Sequence, residues 1–123
     1  MRFLVALFTL FVSLAASAAS APFDQAAFDK AVAAGEPVVV QFHADWCPTC
    51  KAQTPIVAEV LADPKMKDLK LFIADFDKEK ALKKSLRVSS QSTFVVFKGG
   101  KEVSRSTGHT TRGAIEGTFA KAL

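Results

Sequence analysis

Val38 to Phe42 reads VVVQF, an apolar and β-branched run of the kind found in a central strand covered on both faces. Ahead of it, PFDQAAFDKAVAA from Pro22 to Ala34 places Pro and Asp in a first turn, sets Phe28 and Val32 four apart and stops at Gly35, so a first helix is expected there. CPTCKAQTPIVAEVLA reads as a second helix, with Ile56, Val60 and Leu61 turned inward and a kink at Pro55. KLFIADFD is a second buried strand, and KEKALKKSLRV a short helix with Leu82 and Leu86 on one face. STFVVFKGGKEVSRS predicts two strands joined at Gly99-Gly100 as a hairpin. Thr111 then caps a last helix that buries Ile115, Phe119 and Leu123. The order helix, strand, helix, strand, helix, hairpin, helix implies an α/β sandwich with a mixed sheet, and in such folds chemistry sits at the C-terminal end of a central strand. Phe23, Phe28, Phe42, Phe72, Phe76, Phe94, Phe97 and Phe119 are the expected core aromatics.

A chain of 123 residues, half of them apolar, has room for one domain. Its first residues change that count. Met1-Arg2 precedes the unbroken apolar run FLVALFTLFVSLAASAA, and Ala16-Ser17-Ala18 fits an A-x-A cleavage site. The expectation is a signal peptide over residues 1–19, cut near Ala18 or Ala19, followed by a domain over residues 20–123. A rival membrane anchor is disfavoured because the run barely reaches spanning length and ends in Ala and Ser. The mature protein is thus expected in the periplasm or otherwise secreted, without stable membrane association, and as a monomer. Without Arg2, 15 basic residues stand against 12 acidic ones, and the lysines form solvated faces, which gives no nucleic-acid signature.

Export bears on the two cysteines, Cys47 and Cys50, because disulfides persist outside the cytoplasm. A redox pair, a metal clip and a structural staple are the three readings. Zinc needs four ligands, and beyond the cysteines only His43 and His109 are available. A bridge three residues long closes too short a loop to constrain much. With Cys47 at the N-cap of the second helix, backbone N–H groups and the helix dipole favour its thiolate, the reactive form. Pro48 at the first helical position leaves the N–H groups of Thr49 and Cys50 free to point at the sulfur. Cys50, one turn on, is placed to attack a mixed disulfide held on Cys47. His43 reads as a strand-end residue able to tune nearby charge.

The stretch FHADWCPTCKAQTP resembles the active-site segment of the thioredoxin family, with Trp46 before the pair, Lys51 after it and Pro55 at the helix kink. The likeness runs on through TFVVFKGGKEV to Gly108 and the last helix, over roughly residues 23 to 123. It implies a thioredoxin-like three-layer sandwich, thiol-disulfide exchange with Cys47 as nucleophile and Cys50 as resolving thiol, no cofactor, and exported protein thiols and disulfides plus a redox partner as the molecules met. Trp46, Pro48, Thr49, Thr93 and Gly108 would line or tune the groove.

Three positions depart from the family pattern. Gln41 stands where thioredoxins carry a buried Asp associated with proton relay to the resolving cysteine. Pro-Thr separates the cysteines in place of Gly-Pro, which leaves redox direction open. Ser92 occupies the place of a cis-proline that faces the cysteines and pairs with substrate backbone. A cis bond before a residue other than proline costs about 2.5 to 4 kcal/mol, so Gln91-Ser92 is expected to be trans, with the loop displaced and the groove reshaped. A non-catalytic binding module and a metal or iron-sulfur carrier are the alternatives that this change keeps open.

Overall fold

A computed structural model of the chain describes Val12 and residues 18–123. The expected signal peptide therefore lies, apart from Val12, Ala18 and Ala19, outside the described residues.

Five strands form one sheet in the order β1-β3-β2-β4-β5. β2, Val38–His43, lies at its centre, parallel to β3, Lys70–Asp75, and antiparallel to β4, Thr93–Lys98. β4 turns at Gly99 and Gly100, with φ of 60° and 83°, into β5, Lys101–Thr107; two left-handed residues are what a tight hairpin turn needs. β1, Ala19–Pro22, pairs parallel with β3 and was not expected from the pattern. Its four residues, ASAP, are small and all exposed, so no alternation marks them. Backbone pairing makes the strand, extended by bonds from Ala19 N–H to Leu69 O and from Phe23 N–H to Ile73 O. Pro22, which cannot donate to a ladder, is tolerated at this edge.

The helices are α1, Gln25–Ala33; α2, Pro48–Ala62; α3, Lys80–Leu86; and α4, Arg112–Ala120. α1 starts later than expected because the Asp24 carboxylate accepts the Ala27 N–H at 2.9 Å and fixes the cap there. The Thr111 hydroxyl caps α4 as expected. Strand alternation sends Val38, Val40, Phe42, Phe72, Val95 and Phe97 to the face covered by α1 and α3, and Val39, Leu71, Phe94 and Val96 to the face covered by α2 and α4. The result is the three-layer sandwich, with β2 and β4 buried except for half-buried His43 and exposed Lys98 at their ends.

Two expected faces are corrected. α2 buries Cys50, Gln53, Val57 and Val60, while Ile56 and Leu61 are only partly covered. The inward stripe thus runs through a polar residue, which apolar periodicity could not show. In the last turn Ala122 is buried and Leu123 is exposed, its carbonyl accepting the Lys98 ammonium.

Phe28 is the hub of the α1 face, with ring centroids 5.4 to 6.0 Å from those of Phe23, Phe72 and Phe97. Phe28→Ala is expected to lower unfolding free energy by about 3 to 5 kcal/mol in urea titrations. The same variant should leave the alkylation rate of Cys47 unchanged, because this aromatic cluster does not include the cysteines; a loss of that reactivity would show the two to be coupled.

Candidate active site

The cysteines stand where β2 hands over to α2. Cys47 is the N-cap residue, with extended backbone, and its Sγ accepts the Cys50 N–H at 3.1 Å. Pro48 opens the helix on the exposed side, and the Thr49 N–H also faces the sulfur. Both cysteines are free. They pack with Ala44 and half-buried Phe76 in a small cluster of their own. Cys47 is only 2% exposed, yet it lies nearer the protein's rim than Cys50, which is fully buried.

Ser92 closes this cluster from the other side. Its hydroxyl lies 3.2 Å from Cys47 Sγ and 3.1 Å from Cys50 Sγ. The Gln91-Ser92 bond is trans, as the residue types led one to expect, and the chain turns instead through a Ser92 φ of 62°. Such a left-handed residue without glycine's freedom is strained by roughly 1–3 kcal/mol and persists only when its surroundings over-determine it. Here they do. The Ser92 N–H donates to Phe42 O at 2.9 Å, and its carbonyl accepts from the Gly108 N–H at 3.0 Å and from Gln53 Nε2 at 3.3 Å. Both backbone groups of Ser92 are thereby committed inside the protein and are not offered to a substrate strand.

Electrostatics separate the two thiols. Burial pushes Cys47 up, but hydrogen bonds from the Cys50 thiol, the Ser92 hydroxyl and the N–H groups of Cys50 and Thr49 outweigh it, so its thiol lies below the ordinary value. Burial raises Cys50, and the bond and charge of Cys47 raise it further, against smaller opposing bonds from Ser92 and the Ala44 backbone. A hydroxyl has one proton to donate. With Cys47 ionised, the Ser92 hydroxyl gives that proton to Cys47, where the Cys50 S–H donates as well, so both bonds favour charge on the one sulfur. The pair is thus polarised into a more acidic thiol at the rim and a thiol behind it that holds its proton more firmly.

The other expected groove residues divide. Trp46 is 57% exposed beside Cys47, its indole N–H held by the Asp77 carboxylate at 2.7 Å. Gly108, with φ of 78°, bonds the main chain of Ser92 through its N–H. Thr93 turns away, its hydroxyl spent on Ser90 O and the Thr107 hydroxyl. His43 pairs with the exposed Asp45 at 3.0 Å rather than with either sulfur. Gln41 is buried on β2 and, with His43 and Thr54, lines a 310 Å³ cavity behind α2. Among the described residues no three His, Cys, Asp or Glu side chains gather to hold a metal. Sequence reading missed Gln53 and Asp77. Both act on residues far along the chain, Gln53 on Ser92 and His109, Asp77 on Trp46.

The family model for thioredoxin matches residues 19–121. Thioredoxin-2 of Saccharomyces cerevisiae is 38% identical over 82 residues, 66% of this chain and 77% of that protein. The thioredoxin of Chlamydia muridarum is 40% identical over 82 residues, 66% of this chain and 76% of that protein. Among solved structures, Trxlp from Edwardsiella tarda EIB202 superposes with a TM-score of 0.78 at 41% identity, over 80% of this chain and 96% of that one.

Cys47 should therefore react with iodoacetamide at a rate that rises with pH through a midpoint below that of an ordinary thiol, whereas Cys50 should react slowly until well above it. In Ser92→Ala the Cys47 rate at pH 6 should fall by about tenfold, the equivalent of one charge-assisted bond of ~1.5 kcal/mol. An unmoved pH profile in that variant would show that the hydroxyl does not hold the thiolate.

Proposed function

The chain belongs to the thioredoxin family of thiol-disulfide oxidoreductases, and from that premise we propose that it works outside the cytoplasm, on the thiols and disulfides of other exported proteins. The observation that carries the chemistry is the Cys47 sulfur at the start of α2, bonded to a backbone N–H and to the Ser92 hydroxyl, beside an exposed tryptophan. Support for the location is the apolar leader of the sequence, with its small-residue end at Ala16-Ser17-Ala18. A cut after Ala18 keeps β1 whole.

In the cycle, the Cys47 thiolate attacks one sulfur of a substrate disulfide. A Cys47–substrate bond forms and the other substrate sulfur leaves with the electron pair and takes up a proton. Cys50 then loses its proton and attacks Cys47 Sγ, which releases the second substrate thiol and leaves Cys47 and Cys50 joined. Two electrons have passed to the substrate, and an exported redox partner restores the dithiol; run backwards, the same steps oxidise a substrate dithiol. The bonds to the Cys47 thiolate exist in the reduced form and are lost in the disulfide, so they favour the reduced protein and make the couple more oxidising than the same scaffold without them. Trp46 supplies the apolar contact surface, while Ser92 offers a substrate strand no backbone partner. Small disulfides should accordingly be handled better, relative to proteins, than by a groove with free backbone groups.

Cys47→Ser is expected to abolish turnover of a protein disulfide with a dithiol reductant, and Cys50→Ser to leave a mixed disulfide on Cys47 that persists on non-reducing gels. Equal trapping by both variants would overturn the division of labour. Expressed in full length, the chain should be recovered from the periplasmic fraction with a mass beginning at Ala19 or Ser20; an intact chain in the cytoplasm would overturn the location.

A further inference from the structure

We propose that Gln53 is a positioning residue of the redox pair: its buried carboxamide ties the Ser92 loop to the loop after Gly108 and so sets the Ser92 hydroxyl against both sulfurs. The inference rests on the thiol-disulfide reading of Cys47 and Cys50, and deepens it.

Gln53 lies on α2 one turn beyond Cys50 and is fully buried. Its Nε2 donates to two backbone carbonyls, Ser92 O at 3.3 Å and His109 O at 2.9 Å. The orientation of the amide follows from chemistry, since an oxygen in that place would face the lone pairs of two acceptors. Oε1 is left buried without a partner. Burying an acceptor unpaired is unfavourable, and an apolar residue of the same size would avoid it. A local rule broken in this way, next to a reactive group, points to a task that stability alone does not set.

The task is visible in what the two carbonyls hold. Ser92 keeps a left-handed backbone that it does not adopt freely, and among the described residues Gln53 is the one side chain that bonds its main chain. The same helix carries the amide and both sulfurs, so hydroxyl and thiols are referred to one rigid element. The His109 bond ties the neighbouring loop to it as well, and Gly108 N–H returns to Ser92 O. Gln53 touches no reacting atom. It acts through Ser92.

The test compares Gln53→Met, Ser92→Ala and the double variant by the pH profile of Cys47 alkylation with iodoacetamide in the isolated, reduced protein. No substrate protein or exported location enters it, so its failure is distinct from a failure of the functional reading. Loss of the clip should slow alkylation at pH 6 by about threefold, less than the loss of the hydroxyl itself. In the double variant the rate should equal that of Ser92→Ala alone, because a residue acting through the hydroxyl has nothing left to position. A Gln53→Met profile identical to wild type with only a lowered Tm, or effects that multiply in the double variant, would overturn the proposal. Should Gln53→Met not fold, the wild-type carboxamide resonances of Gln53 decide by NMR. Slow exchange and a pH shift that tracks the Cys47 titration support the clip; exchange as fast as that of an exposed glutamine, or no shift, refutes it.

Discussion

The one proton of the Ser92 hydroxyl is shared between two sulfurs, and the chemistry of this protein depends on where that proton goes. A hydroxyl within hydrogen-bond distance of both Cys47 and Cys50 cannot serve them equally. Cys47 also receives backbone N–H groups at the start of α2, which Cys50 lacks, so the negative charge settles on Cys47. The hydroxyl then donates to Cys47, and the Cys50 S–H donates to the same sulfur. The two thiols are told apart by this asymmetry rather than by any charged side chain, since His43 pairs with Asp45 and the strand position behind the pair is Gln41.

Holding a serine hydroxyl there takes backbone strain, and the fold is arranged to absorb it. The sheet supplies Phe42 O, the turn after β5 supplies the Gly108 N–H, and α2 supplies the Gln53 amide. Phe42 on β2 and Ala44 just beyond its end are both buried, and Ala44 packs directly on the two cysteines. The two aromatic-rich faces of the sheet fix β2 and β4 relative to each other, and through them the distance between the helix start and the Ser92 loop. Low local dielectric makes each hydrogen bond to the thiolate count for more than it would in water.

Local signals made much of this readable. The β-branched run at Val38 marked the central strand, the Gly99-Gly100 pair marked the hairpin, and Cys47 followed by Pro48 marked a helix start with a sulfur at its cap. The unread parts are those made by tertiary contact. β1 has no apolar alternation and exists because β3 offers it an edge. Gln53 was passed over, because the partners of its amide lie 39 and 56 residues along the chain. Ser92 was read as a missing proline, and residue type does suffice for the trans bond. What it gains by being a serine, a hydroxyl on both sulfurs, becomes visible only when residues 45 and 42 apart meet.

The most direct test of this account is the reduction potential of the Cys47/Cys50 couple, measured at pH 7 in glutathione buffers for the natural protein and for Ser92→Ala. If the hydroxyl stabilises the thiolate of the reduced form, removing it should make the couple more reducing, by about 30 mV for a loss near 1.4 kcal/mol. A potential that stays the same or becomes more oxidising would contradict the account.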